Sequence, residues 1–286
     1  MSMRFSEDRI EKLICSDGIQ RDIHIWEHKT PKAIFITLHG LMDHGGNYMN
    51  PGIYLKAHGY ALVAHDQHGH DRKRKAHVPR FDVFLDDLEL MMAWVKENYQ
   101  GVPIFLVGNS MGGLILTHFV IRIFQDDPDV KGFILSAPAY ENSVKTSKFL
   151  IAMAKLLSRI APGKVVPVED LRLLVTRDEG EYKRMREDER DEIQATLMSA
   201  RMGAEFLKAQ GWVPDHIAQW KYPMLAIIPG DDKVINSGVT RELLSKIDEG
   251  LVTELFYPEN YHECFNEVNR EEVFARIVEW CEPKIK

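Results

Sequence analysis

Short runs of apolar residues recur along most of this chain, separated by longer segments whose apolar residues have helical spacing. A strand buried on both faces is continuously apolar, and two parallel strands need a crossover connection, usually a helix. The pattern therefore predicts an α/β fold in which helices flank a mostly parallel sheet. The runs predicted as strands of that sheet are Ala33–Leu38, Ala61–His65, Ile104–Val107, Gly132–Leu135, Met224–Ile228 and Leu255–Tyr257.

The beginning of the chain has a different pattern. The segments Ile10–Cys15 and Asp22–Trp26 flank the turn dipeptide Asp17-Gly18, which predicts an antiparallel hairpin. Later segments keep their apolar residues on one helical face. These predicted helices are Phe81–Glu97, Met111–Phe124, Thr240–Ile247 and Val268–Trp280.

The alternation of strands and helices stops after Pro138 and resumes at Tyr222. The sequence between them contains only helical or loop-like patterns, and we interpret its mixed-charge run, Arg177 to Glu192, as a solvated face. We therefore predict an α/β core formed by residues 1–138 and 222–286, with a helical cap or lid, residues 139–221, inserted between its two parts.

The composition of the 286 residues, 45% hydrophobic and 28% charged, is that of a globular protein with a sizeable core. The formal net charge is −7, and without a basic excess we expect no nucleic-acid partner. Cys15, Cys264 and Cys281 lie far apart, which fits neither a disulfide framework nor a metal-binding motif. The sequence has no signal-peptide pattern and no apolar stretch of about 18 residues, so we expect a cytoplasmic protein.

Residues Gly108 to Gly112 form a G-x-S-x-G motif between a predicted strand and a predicted helix. A serine at a sharp strand-to-helix turn exposes its hydroxyl, and the glycines remove Cβ atoms that would clash there. The N-terminus of the following helix offers unpaired N–H groups and a positive dipole end to an oxyanion. This context favours a nucleophilic Ser110 over a structural turn serine.

A serine nucleophile needs a base that a third group orients, and both groups follow later predicted strands. Asp231 and Asp232 come after the run ending at Ile228, and His262 comes after Tyr257. The order Ser, Asp, His is that of α/β-hydrolases. We expect His262 to be the base and Asp232 to orient it, with Asp231 as a surface residue or a helper.

A tetrahedral intermediate also needs backbone donors, one after the nucleophile and one from the loop after an earlier strand. The glycine-rich loop that starts at His39 and Gly40 follows the strand Ala33–Leu38 in that position. We predict that the N–H groups of Leu41 and Met111 form the oxyanion hole. His39 and Gly40 are predicted to contact the substrate.

Five segments together resemble the monoacylglycerol lipase and lysophospholipase branch of the α/β-hydrolases: HGLMDHGGNY, HDQHGHD, GNSMGG, PGDDKV and YHECFNE. The resemblance covers almost the whole predicted core and implies a helical cap after the sixth strand, as at 139–221. It implies Ser110 as nucleophile, His262 as base, Asp232 as its orienting acid, and Leu41 with Met111 as oxyanion hole. No metal or organic cofactor is implied.

The second of these segments departs from the family pattern. Family members continue it as a glycine-histidine-glycine run ending in serine, whereas this chain has Gly69-His70-Asp71-Arg72-Lys73, so this rim of the pocket is expected to differ in shape and charge. The histidines His65, His68 and His70 also suggest a zinc site, but their spacing lacks a ligand of the H-x-H-x-D-H pattern. We expect most of them to be hydrogen-bond partners that shape loops near the active site.

The clearest indication of the substrate is an amphipathic segment inside the predicted cap. Its apolar side chains either pack on the core beneath or line an acyl tunnel and touch lipid. The basic residues on its narrow polar side are what an interfacial helix carries, so transient contact with a membrane surface is a hypothesis. The residues predicted to bind the acyl chain are Phe149, Met153, Leu156 and Leu157.

These features predict a serine hydrolase that cleaves the acyl ester of a lipid such as a monoacylglycerol or a lysophospholipid. A general short-chain carboxylesterase or thioesterase on the same scaffold stays open, as does a non-catalytic binding protein. A peptidase shares the machinery, but the cap sequence has no obvious cluster of acids for a peptide amino group. Cys264 lies two residues after His262; it is either an inert buried thiol or a site of thiol sensitivity.

Overall fold

The computed structural model of the chain describes residues 4–70, 75–143, 148–166 and 174–285, and the side chains of the helix that begins at Lys148 from residue 152 onward. Asp71, Arg72 and Lys73, which carry the departure from the family pattern, lie outside the described residues. The side chain of Phe149, predicted to bind the acyl chain, lies outside them as well.

The strands in chain order are β1 (Arg9–Ile14), β2 (Gln20–Trp26), β3 (Ile34–Leu38), β4 (Ala61–His65), β5 (Lys75–Ala76), β6 (Ile104–Asn109), β7 (Val130–Ser136), β8 (Val165–Val166), β9 (Leu197–Ser199), β10 (Met224–Pro229) and β11 (Val252–Tyr257). The α-helices are α1 (Met49–Ala57), α2 (Val83–Asn98), α3 (Met111–Arg122), α4 (Lys148–Ile160), α5 (Glu179–Arg190), α6 (Ala200–His216), α7 (Ser237–Leu244) and α8 (Arg270–Cys281).

The large sheet has eight strands in the order β1-β2-β4-β3-β6-β7-β10-β11. The pairs β1–β2 and β2–β4 are antiparallel, and every later neighbour pairs in parallel. This confirms the α/β fold class predicted from the apolar runs, and the opening hairpin is present as β1 and β2. The carboxyl ends of β3, β6, β10 and β11 lie along one edge, so the loops after them meet there, where α/β sheets bind ligands.

Apolar side chains fill both faces of this sheet. Ile34 and Ile36 belong to the core on one face, and Phe35 belongs to the core on the other. The rings of Phe35 and Phe105, on adjacent strands, stack with centroids 5.4 Å apart. Burial of each such side chain stabilises the fold by about 1.5–3 kcal/mol, which gives the loops at the sheet edge a rigid base.

The segment between β7 and β10, which we call the β7–β10 segment, contains α4, α5 and α6, and also the strands β8 and β9. These two strands form a small sheet with β5 in the order β5-β9-β8. The prediction of only helices and loops in this segment was therefore wrong. Strands of two or three residues are too short to show the alternation by which strands are recognised in a sequence.

The charged run on α5 is not a solvated face throughout. Glu181 and Asp188 are buried, although Arg186 and Arg190 on the same helix are exposed. A buried carboxylate is tolerated only with partners that replace its hydration, and these partners come both from Arg184 on the same helix and from distant parts of the chain. In the part of the chain that the structure covers, no helix is long and apolar enough to cross a lipid bilayer.

Candidate active site

Ser110 lies at the turn between β6 and α3 in a backbone conformation that an L residue rarely adopts, with φ 52° and ψ −115°. The flanking glycines permit this turn. A Cβ atom on Gly108 would lie 2.4 Å from the carbonyl oxygen of Gly112, and one on Gly112 would lie 1.9 Å from that of Leu38. Both contacts are far inside van der Waals distance, so the motif needs glycine at both positions. Strain of this kind is held only where the surrounding structure fixes it.

Asp232 and His262 come together across the loops that follow β10 and β11. The His262 Nδ1–H donates to Asp232 Oδ2 at 2.7 Å, and both side chains are buried. Asp232 Oδ1 accepts from the backbone N–H groups of Val234 at 2.7 Å and Ile235 at 2.9 Å. The carboxylate is thus fixed on one oxygen by the backbone and presents the other to the imidazole.

Asp231, the alternative carboxylate, points elsewhere. Its side chain is exposed and forms an ion pair with Lys233. The Asp231 backbone N–H donates to the carbonyl oxygen of Asn260 at 3.1 Å. Of the two aspartates, it is therefore Asp232 that contacts His262.

The electrostatic environment of His262 favours its protonated form. Burial alone would lower the pKa of His262, but the charge of Asp232 and the hydrogen bond to it, with the carboxyls of Glu263 and Asp43, raise that pKa above its ordinary value. A raised pKa makes the imidazole a better proton acceptor. The Nδ1–H bond to Asp232 leaves Nε2 as the acceptor.

The glycine-rich loop after β3 packs against Ser110. A Cβ atom on Gly40 would lie 3.4 Å from Ser110 Cβ and 3.8 Å from Ser110 Oγ, so the backbone at Gly40 passes directly beside the serine. Leu41 follows and lines the same cavity as Ser110. Met111 is the first residue of α3, where a helix leaves its N–H groups without intrahelical partners. Met42 has φ 61°, which turns the loop away after Leu41.

His39 does not reach the cavity, in contrast to the prediction that it binds substrate. Its side chain is fully buried. The Nδ1–H donates to the carbonyl oxygen of Gly40 at 2.8 Å, and Nε2 accepts from the Gln67 N–H at 3.0 Å. Both ring nitrogens are thereby used within the protein, so His39 positions the loop beside Ser110. Gly40 does line the cavity.

A series of buried hydrogen bonds and ion pairs also supports the loop after β3. The Gly45 N–H donates to Asp66 Oδ1 at 2.8 Å, and His24 bridges Asp66 at 3.5 Å and Glu7 at 2.6 Å. These two carboxyl groups raise the pKa of His24 to about 9 despite its burial. Within the described residues, no cluster of three or more His, Cys, Asp or Glu side chains is arranged to hold a metal ion.

Ser110 and His262 open into one cavity of about 510 Å³ beneath the β7–β10 segment. Met153 and Leu157 of α4 line it, as predicted for acyl contacts, but Leu156 is not among its lining residues and is 57% exposed. Leu156 therefore lies on the outer side of α4, rotated by about 100° around the helix axis from its neighbour Leu157. Other apolar lining residues are Val166, Met198, Phe206, Leu207, Val234 and Ile235.

Two acidic residues without a predicted role line the cavity near Ser110 and His262. Asp43 follows the predicted oxyanion loop, and Glu263 follows His262 directly; both are buried. Burial and the nearby Asp43 raise the pKa of Glu263 to about 7, and burial raises the pKa of Asp43. Their position next to predicted catalytic residues was the signal that could have identified them.

Helix α5 is fixed to the loop after β3 by buried polar contacts. Asp188 accepts from Arg184 at 3.1 Å and from Arg4 at 2.6 Å, and its other contact is His44 Nε2 at 3.3 Å. Arg184 also donates to Asn47, which lines the cavity. One face of α5 thus joins the β7–β10 segment to the loop that flanks Ser110.

The chain is similar in sequence to a protein family and to curated proteins. The family model described as serine aminopeptidase S33 matches residues 29–269. Phospholipase YtpA of Bacillus subtilis is 30% identical over 87% of this chain and 95% of its own length. The monoacylglycerol lipase of Mycolicibacterium smegmatis is 27% identical over 92% of this chain and 93% of its own length.

Solved structures share the fold. The Paleococcus ferrophilus monoacylglycerol lipase superposes with a TM-score of 0.76 at 24% identity, over 92% of this chain and 98% of that one. A soluble variant of the Saccharomyces cerevisiae monoglyceride lipase superposes with a TM-score of 0.83 at 18% identity, over 97% and 95%. The family model matches most of the chain, residues 29–269, and the fold agrees with it. The chain therefore belongs to the serine aminopeptidase S33 family, a monoacylglycerol-lipase-like family of α/β-hydrolase enzymes.

Proposed function

We propose that this enzyme is a carboxylic ester hydrolase that cleaves the acyl ester of a monoacylglycerol or a lysophospholipid through an acyl-enzyme on Ser110. The observation that carries the proposal is the buried Asp232–His262 pair, 2.7 Å apart, at the same cavity as the strained Ser110. A hydrogen-bonded acid and base beside a serine on a strand-to-helix turn is the arrangement that activates a hydroxyl nucleophile.

In the first half-reaction, His262 Nε2 takes the Ser110 hydroxyl proton as Oγ attacks the ester carbonyl carbon. The resulting tetrahedral oxyanion accepts from the N–H groups of Leu41 and Met111. The ester C–O bond then breaks, and the imidazolium gives its proton to the leaving alcohol. Asp232 stabilises the imidazolium throughout and keeps its own charge.

In the second half-reaction, water attacks the acyl-serine while His262 accepts a proton from it. The C–Oγ bond breaks, and Ser110 recovers its proton from His262. The products are a free fatty acid and an alcohol. Each turnover consumes one ester and one water molecule and regenerates the enzyme.

The apolar lining of the cavity supports a long acyl chain as the group transferred to Ser110. Met153 and Leu157 of α4 and Phe206 of α6 enclose it from the β7–β10 segment. Burial of each methylene group stabilises binding by about 0.8 kcal/mol. We propose that residues 139–221 act as the cap over this acyl site, fixed to the loop beside Ser110 through α5.

An aminopeptidase is the second candidate, and one observation favours it. Asp43, Glu189 and Glu263 line the cavity, and of these three acids Glu189 alone belongs to the predicted cap, residues 139–221. Glu189, however, already pairs with Arg186 at 2.8 Å, and the remaining walls of the acyl site are largely apolar. The lipid ester therefore fits the cavity better than a charged peptide terminus.

The experiment is a set of initial rates on five substrates: a long-chain monoacylglycerol, a lysophosphatidylcholine, a short p-nitrophenyl ester, a long-chain acyl thioester and an alanine p-nitroanilide. Ser110→Ala serves as the blank for each. The proposal predicts the highest kcat/KM on the monoacylglycerol or the lysolipid. Turnover confined to the short ester or led by the thioester would leave an esterase or thioesterase, and turnover of the anilide alone would establish the peptidase.

A further inference from the structure

The two buried carboxyl groups near Ser110 and His262 raise the pKa of His262, but in the mechanism above they contact no reacting atom. We propose that Glu263, together with Asp43, determines head-group specificity by favouring a neutral, hydroxyl-bearing leaving group over an anionic phosphodiester. This inference rests on the proposed ester hydrolysis and narrows its substrate to lipids with an uncharged polyol, such as monoacylglycerols.

The position of the leaving alcohol follows from the chemistry. His262 must protonate the leaving oxygen, so that oxygen lies within hydrogen-bond reach of the imidazole. Glu263 is the next residue and lines the same cavity. Asp43 lines it too, two residues after Leu41. A head group attached to the leaving oxygen therefore emerges next to these two carboxyl groups.

The side chain of Glu263 is held in place rather than free to move aside. Its Oε1 accepts from Asn109 Nδ2 at 2.9 Å, and its backbone N–H donates to the carbonyl oxygen of Val175 at 2.8 Å. Asp43 is also fixed, since it accepts from the His44 N–H at 2.8 Å and from Asn47 Nδ2 at 2.9 Å. Fixed carboxyl groups select by charge because they cannot rearrange away from a phosphate.

The cavity offers a phosphodiester little compensation. Among the described residues that line it, the permanent cation is Arg186, and this guanidinium is already paired with Glu189 at 2.8 Å. Recognition of a phosphate in a protein usually relies on arginine or lysine groups that point at it. Amide and phenol groups of Asn47, Gln194 and Tyr182 also line the cavity, and these suit hydroxyl groups.

Glu263 can bind a hydroxyl group in either of its own protonation states. The raised pKa of Glu263, about 7, means that its carboxyl group donates a hydrogen bond below neutrality and accepts one above. The ionised form is the one that repels a phosphodiester, so discrimination should increase with pH. The titratable groups that act on it are Asp43, Asp232, His262, Tyr48 and Cys264.

The test compares 1-octanoylglycerol with 1-octanoyl-lysophosphatidylglycerol, which carry the same acyl chain and differ by a phosphoglycerol unit with one negative charge at every pH used. The ratio of their kcat/KM values is measured for the wild type and for Glu263→Gln, which keeps an oxygen for Asn109. We expect the wild type to prefer the neutral lipid and Glu263→Gln to reduce that preference about tenfold, equivalent to about 1.4 kcal/mol. Asp43→Asn is expected to act in the same direction.

The matched control is Glu259→Gln, which removes the same charge from the same loop at a site whose side chain is 85% exposed. Its ratio should stay within about twofold of the wild type because exposed charges are screened. A Glu263→Gln ratio equal to that of the wild type, with both rates lowered in parallel, would overturn the proposal.

A measurement on the wild type alone covers the case in which the variants do not fold. The preference for the neutral lipid should rise by about threefold or more between pH 6 and pH 8.5, since the effects of His262 titration cancel in the ratio. A constant preference, or none at any pH, would overturn the specificity role. If the wild type hydrolyses neither ester faster than Ser110→Ala does, the proposed function itself is refuted. The two failures are therefore distinct.

Discussion

Replacement of Asp232 by asparagine tests how the acid acts through His262. The amide would keep one oxygen for the N–H groups of Val234 and Ile235, which now bind Oδ1 at 2.7 and 2.9 Å. Its NH₂ group would face His262 Nδ1, where the carboxylate now accepts a hydrogen bond at 2.7 Å. A donor in that place requires an unprotonated Nδ1, which puts the proton on Nε2. The imidazole could then no longer accept the serine proton.

The magnitude follows from that change of tautomer. Such a substitution in a serine triad lowers kcat by about 10⁴-fold, which corresponds to about 5.5 kcal/mol of transition-state stabilisation. The cost to folding is smaller, about 1–2 kcal/mol, because charge-assisted hydrogen bonds to the loop become neutral ones. We therefore expect Asp232→Asn to lower kcat/KM on a monoacylglycerol by 10³–10⁴-fold while the protein still unfolds cooperatively.

Asp231→Asn is the matched control, because it makes the same chemical change at the neighbouring, exposed residue. Its kcat/KM should remain within about threefold of the wild type. Steady-state rates and a thermal unfolding curve for each variant are sufficient. Comparable losses in the two variants, or a loss of less than tenfold in Asp232→Asn, would refute the assignment of the acid.

Other predictions concern pH, membranes and thiols. Because the pKa of His262 is raised and only the neutral imidazole accepts a proton, kcat/KM should fall on acidification with a midpoint above about 6.5; a flat profile from pH 5 to 8 would contradict this. Leu156 and Ile160 are 57% and 71% exposed on α4, so replacing both with serine should reduce co-sedimentation with anionic phospholipid vesicles several-fold; unchanged binding would exclude this docking face. Cys264 is buried with a raised pKa, so iodoacetamide should leave the native enzyme active and Cys264 unlabelled over an hour, and rapid labelling with loss of activity would contradict this.

The middle of the large sheet could be predicted because β4, β6 and β10 are almost continuously apolar and buried along their whole length. Helix α1 was not predicted: Pro51 and Gly52 lie in its sequence, and both residues normally argue against a helix. Pro51 is in the first turn, where no intrahelical donor is lost. Gly52 is required there because a Cβ atom would lie 2.4 Å from the Trp26 ring, a contact that no local pattern reveals.

Some residues of the site could be placed from the sequence, and others could not. Ser110, Asp232 and His262 follow predicted strands, so their common position could be inferred from the topology. His39 and Asp188 could not be placed, because burial of each depends on partners far away in the sequence. The ring of His39 is held by Gln67 from the loop after β4, and the α5 carboxylate by Arg4 and His44. Periodicity reports which face of an element is apolar but not which charged groups meet in the fold.

Transfer of the acyl group to Ser110 is the step on which the proposed hydrolysis depends. The most direct measurement treats the enzyme with an alkyl fluorophosphonate, determines its intact mass and maps the modified peptide, with Ser110→Ala treated in parallel. The mechanism predicts one adduct, on Ser110, formed in step with the loss of monoacylglycerol hydrolysis, and no adduct on the variant. An adduct on another residue, or monoacylglycerol turnover that persists in Ser110→Ala, would contradict it.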